Sequence, residues 1–176
     1  MRPSSEAPAA LKVLLDLPHA PQVRVQALAT LGLLGALDRE ALVRALGDPN
    51  PWVRVEALRQ SERFVALGEA LFPSVTALAR DGDAAVRLQA AYSLGAWPAE
   101  RAEPVLRELV ANDAVDDWIR TAVMSSLRPE GDLFRELNRP DSVPKAAPVL
   151  AGRLPSSPDR EAVVAGYAGV GEMAAD

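Results

Sequence analysis

The feature that most constrains this chain is a repeat. Gln22-Val23-Arg24-Val25-Gln26-Ala27-Leu28 returns in outline as Trp52-Val53-Arg54-Val55-Glu56-Ala57-Leu58, as Ala85-Val86-Arg87-Leu88-Gln89-Ala90-Ala91 and as Trp118-Ile119-Arg120-Thr121-Ala122-Val123-Met124, with the arginines 30, 33 and 33 residues apart. The places one before, three after, four after and seven after each arginine are apolar in almost every copy. At 100° per residue they fall on one helix face. Ser61, at the last of these places in the second copy, is the exception.

Upstream of each such helix runs a second apolar-periodic stretch: Leu11 to Leu15, Leu42-Val43 with Leu46, Val75 with Leu78, and Val105-Leu106 with Leu109. Turn chemistry separates the two, Asp48-Pro49-Asn50-Pro51 in one copy and Asp81-Gly82-Asp83 in another, so each unit reads as a helical hairpin with a short loop. A helix pair of this size cannot bury its apolar face alone. Successive pairs must stack, and the expected fold is an all-α, right-handed solenoid of about four to five hairpins. The periodicity sets the array at residues 9–128, after a flexible segment at 1–8. Residues 129–176 read as a degenerate fifth pair, over about 144–154 and 159–170, or as a cap with a flexible tail.

Composition agrees. Of 176 residues, 32 are Ala and 24 are Leu, while Ile occurs once and aromatics number eight, which suits packed helices and argues against a sandwich or barrel. The net charge of −5 disfavours nucleic acid as a partner. With no cysteine there are no disulfides, zinc–thiolate sites or thiol nucleophiles. No stretch approaches the ~18 apolar residues of a membrane span, and no apolar h-region follows Met1-Arg2-Pro3-Ser4-Ser5-Glu6, so the chain as written reads as soluble, with no signal peptide and no membrane insertion.

The Asp-x-Asn/Asp-x-x-Val-Arg hairpin, at 48–54 and 81–87, resembles the HEAT-repeat signature, in particular the short HEAT-like type of phycobilin-lyase-related proteins. The resemblance covers roughly residues 9–128. Residues 48–59, 83–95 and 112–127, in that order, are further similar to the HEAT segment of large bacterial envelope proteins. Those join a sugar-dehydrogenase-like propeller, HEAT repeats and a c-type haem domain. Their Cys-x-x-Cys-His haem motif is missing here, so that likeness implies only a spacer or docking role. It places the chain in the cell envelope or periplasm if it is a fragment, and in the cytoplasm if it is complete.

Candidate sites fall into two sets. Arg24, Arg54, Arg87 and Arg120 with Asp48, Asp81 and Asp113 form a periodic ladder expected to cross-brace neighbouring repeats, the aspartates also capping the second helices. Opposite the core face, a stripe of Gln22, Gln26, Trp52, Glu56, Arg59, Gln89, Tyr92, Trp118 and Ser125 lines the wall that in a solenoid is usually concave. Trp, Tyr and Arg are the residue types enriched at binding hot spots, so this stripe is the expected partner-binding surface. Trp52 and Trp118, at helix starts, suit either that surface or packing on the preceding loop, and Trp97 before Pro98 suits a loop plug.

No catalytic constellation is visible. His19, the only histidine, lies between Pro18 and Pro21 with no partner nearby, and Asp116-Asp117 and Glu100 with Glu103 suit helix starts better than acid–base work. Ser125-Ser126 lacks a nucleophile-elbow context, and Gly166, Gly169 and Gly171 follow no strand. The expectation is a non-catalytic scaffold without metal or cofactor, binding a protein partner or neighbouring domains. The competing class is a HEAT-like enzyme, a DNA-base glycosylase or a chromophore lyase.

Overall fold

The computed structural model describes residues 6–16, 20–113 and 116–139. Nine α-helices occupy them: α1 (Glu6–Asp16), α2 (Pro21–Leu33), α3 (Arg39–Leu46), α4 (Pro51–Ser61), α5 (Gly68–Ala77), α6 (Ala84–Leu94), α7 (Ala99–Asn112), α8 (Asp117–Ser126) and α9 (Asp132–Leu137). Two 3-10 turns, Glu62–Leu67 and Leu78–Arg80, flank α5. The chain divides into two compact units, Met1–Leu137 and Asn138–Asp176, and all nine helices belong to the first. The helix pair expected over 144–154 and 159–170 lies outside the described residues, as does His19.

The four arginine-bearing stretches are α2, α4, α6 and α8, and each packs on the next, α2 on α4, α4 on α6, α6 on α8. On the other side α3 packs against α1 and α5. This is an all-α solenoid of stacked hairpins. The cause is legible in side-chain size. Ala27, Ala57 and Ala90, three places after the arginine, are buried almost completely, and such small residues let neighbouring second helices approach closely while Leu28, Leu58, Leu31 and Leu94 fill the space towards the first helices. Full burial of each leucine contributes about 1.5–3 kcal/mol.

Ser61 sits at a fully buried leucine position and satisfies itself locally, its hydroxyl donating to the Leu58 carbonyl at 2.6 Å. Val23 and Val43 depart from the periodic expectation, since both are about 38% exposed. Val23 shares the array's core register but belongs to the first hairpin, where no earlier described repeat covers it. The array also starts and ends differently from the periodic reading. α1 begins at Glu6, ahead of residue 9, and α9 buries Leu133 and Leu137 in the same core as the helices before it.

Two glycines are set by geometry. Gly35 takes φ 64° just past the end of α2, the left-handed position that terminates a helix without a Cβ penalty. At Gly95 a Cβ would lie 2.9 Å from the Ser126 Cβ, so the bare backbone is what lets the ends of α6 and α8 meet. Trp97 in the following turn is 4% exposed, its ring 5.1 Å from that of Phe72, and it plugs the loop as its Trp-Pro context suggests.

Candidate functional site

The arginine of each second helix reaches forward to the next hairpin's loop. Arg24 grips Asp48 with two parallel bonds of 2.9 Å, from Nε and Nη2, and Arg87 grips Asp113 in the same bidentate way at 2.8 Å. Arg54 Nη2 donates to Asp81 Oδ1 at 2.8 Å, its Nε staying buried without a partner. Two of the arginines also tie down their own loops: Arg54 Nη1 donates to the carbonyls of Asp48 and Pro49, Arg87 Nη1 to those of Asp81 and Gly82. Arg120 Nη2 donates to the Leu137 carbonyl at the end of α9. The pairs are largely buried. The fork geometry of guanidinium on carboxylate fixes the register between hairpins as well as attracting.

Burial alone would push the Asp81 carboxyl up. The Arg54 bond, the Asp83 N–H and the charges of Arg54 and Arg87 outweigh it and hold it below the usual carboxylate range. The ladder aspartates do not cap the second helices. The caps lie two or three residues further on: Asn50 Oδ1 accepts from Trp52 N–H, Asp83 Oδ1 from Ala85 and Val86, and Asp116 Oδ1 from Trp118 and Ile119. Asp48 and Asp81 instead fold the loop back, each accepting the N–H two residues on.

These three equivalent caps hold the second residues of α4, α6 and α8, which are Trp52, Ala85 and Trp118, in one backbone geometry at one edge of the second-helix wall. Both indoles are about 60% exposed. Tyr92 is exposed near the far end of α6, as are Gln22 and Gln26 on α2 and Ser125 on α8. Arg59, exposed on α4, donates from Nε to Gln89 Oε1 on α6 at 3.0 Å, bringing two stripe residues together across the helix boundary.

Glu56 does not belong to the exposed stripe. It is 9% exposed, and its Oε1 accepts from the buried Gln60 amide at 2.7 Å. Gly32 makes this possible: a Cβ there would lie 2.0 Å from Gln60 Oε1, so the missing side chain admits Gln60, and Glu56 with it, between α2 and α4.

Contacts that periodic reading does not reveal lie between repeats. Ser93 Oγ donates to Glu62 at 2.7 Å, and Arg63 donates to the Gly32 carbonyl at 2.9 Å. A second row of ion pairs, Lys12–Asp38, Arg80–Glu108 and Arg107–Glu136, links successive hairpins on the other side at spacings of 26 to 29 residues. These pairs are exposed, and such bridges contribute little. The periodic spacing of the charges was the available signal.

Of the acid–base candidates, Asp116 caps α8 and Asp117 opens its first turn, while the hydroxyls of Ser125 and Ser126 both donate to the Ala122 carbonyl. Glu100 and Glu103 line a cavity of about 370 Å³ with Trp97, Ser126 and Arg128. The buried Trp97 Nε1 has no hydrogen-bond partner. Among the described residues no group of three or more His, Cys, Asp or Glu is arranged to hold a metal ion, and no helix is long and apolar enough to cross a membrane.

Residues 72–167, more than half of the chain, match the family described as HEAT repeats. No curated protein matches the chain, and no solved structure does.

Proposed function

The chain belongs to the HEAT-repeat family, and from that premise we propose that it is a non-catalytic protein-interaction scaffold whose working surface is the second-helix wall. The observation that carries this reading is the pair of exposed indoles at one register of that wall, with Tyr92 and Arg59 exposed towards the other ends of α6 and α4. Large aromatics left in water at equivalent places of a stacked array are the side chains that supply binding energy when covered. The ladder holds the helices that carry them in fixed register, so little ordering is required on binding. Arg59 and Gln89 are bonded to each other across the helix boundary, which suits positioning rather than proton transfer.

A photo-crosslinking residue placed at position 52 or 92 tests the reading, with position 43 on the first-helix row as control. A discrete protein adduct is expected from the wall positions and none from position 43. Equal labelling from all three would contradict the wall as the interaction surface.

Within this reading we propose further that the scaffold serves as the spacer of a larger haem-containing envelope protein. The support is the order of the three sequence segments at 48–59, 83–95 and 112–127. An antibody blot of the source organism, haem-stained on the same lane, decides it. A large haem-positive band is expected; a haem-negative band near 18.7 kDa rejects the spacer role.

A further inference from the structure

We infer that the wall's N-terminal edge is a docking notch for an extended, arginine-bearing segment of a protein partner, with two cationic side chains about six residues apart. The inference rests on the interaction-scaffold reading and adds the partner's chemistry.

The notch is built by equivalence. α6 packs against both α4 and α8, and the same cap geometry fixes the second residue of each. Across the three helices that position therefore reads indole, methyl, indole, from Trp52, Ala85 and Trp118. The alanine leaves a dip between two exposed aromatic faces.

Charge selects the occupant. The ladder is neutral in itself, Arg24, Arg54 and Arg87 being matched by Asp48, Asp81 and Asp113. Beyond it the edge carries the carboxylates of Asp83, Asp116 and Asp117, against the guanidinium of Arg120 that is directed to the Leu137 carbonyl. Asp83 and Asp116 both cap through Oδ1, which leaves Oδ2 for a further donor. Exposed indoles beside carboxylates attract a cation that lies flat on a ring while donating sideways, and the planar guanidinium does both. An acidic or nucleic-acid ligand would meet repulsion.

Spacing follows from helix packing. Neighbouring axes lie about 8–10 Å apart, so positions on α4 and α8 are separated by roughly 16–20 Å. An extended chain advances about 3.3 Å per residue, so two side chains that reach both indoles are some five to six residues apart.

The test is fluorescence anisotropy with the full chain and a labelled peptide holding two arginines separated by five Ser/Gly residues. Its comparators carry one intervening residue, or glutamines or glutamates in place of the arginines. Tight spacing and loss of charge are each expected to weaken binding about tenfold. Trp52→Ala and Trp118→Ala are each expected to weaken it about five- to tenfold, with unchanged circular-dichroism melts. Glutamine or glutamate peptides binding as well as the arginine peptide, still dependent on the tryptophans, would overturn the cationic notch and leave the scaffold reading standing. Binding indifferent to both tryptophans, or no binding by any peptide, would also overturn the notch.

Discussion

Asp81 shows how one side chain serves two structures at once. It ties its own loop through the Asp83 N–H and receives Arg54 from the hairpin before it, and these partners keep its carboxyl below the ordinary range. A group with a lowered folded-state value contributes stability that is fully present above the unfolded carboxylate value, near pH 4, and is lost as pH falls through the folded value. Asp81→Asn is therefore expected to flatten the acid side of a plot of melting temperature against pH. It is also expected to cost about 3 kcal/mol at neutral pH by stranding Arg54, read by denaturant titration. A variant whose acid limb matches the parent would show that Asp81 is not bracing the repeats. Gly95→Ala makes a different demand. The Ser126 backbone is 3.0 Å from the new Cβ, so α8 must shift, and the expected loss is about 1–3 kcal/mol.

At the scale of the element, each second helix carries one buried face and one forward-reaching arginine, and α4, α6 and α8 also carry a side-chain cap. Leu94→Ala, in a fully buried place on α6, is expected to cost about 2–5 kcal/mol, whereas Asp83→Ala removes only the cap of the same helix and should cost about 1 kcal/mol. Paired denaturant titrations check the ratio. The helices and the arginine–aspartate pairing were legible because periodicity and a fixed spacing carry them. The cap of α8 at Asp116 was legible too, but those of α4 and α6 were not, because Asp-x-Asn and Asp-x-Asp offer two side chains two residues apart and only loop geometry decides which one turns inwards. Glu56 was misread for a related reason. Its burial depends on Gly32 of the preceding hairpin, a partner 24 residues away that no single-helix pattern points to. Trp52 and Trp118 were open between two surroundings because a helix start borders both the loop and the wall.

At the scale of the molecule, stacking makes stability a sum of hairpins and the interfaces between them, while function rests on residues those interfaces leave out. The ladder and the core serve the first purpose, and on the proposed reading the indole edge and Tyr92 serve the second. The separation of the two is the central claim, and the double variant Trp52→Ala with Tyr92→Ala tests it most directly. Its thermal melt and its capture of an interacting protein or peptide are to be measured on the same preparation. An unchanged melt with capture lost is the predicted result. A melt that collapses together with binding would contradict the claim, because it would show that these aromatics hold the solenoid together.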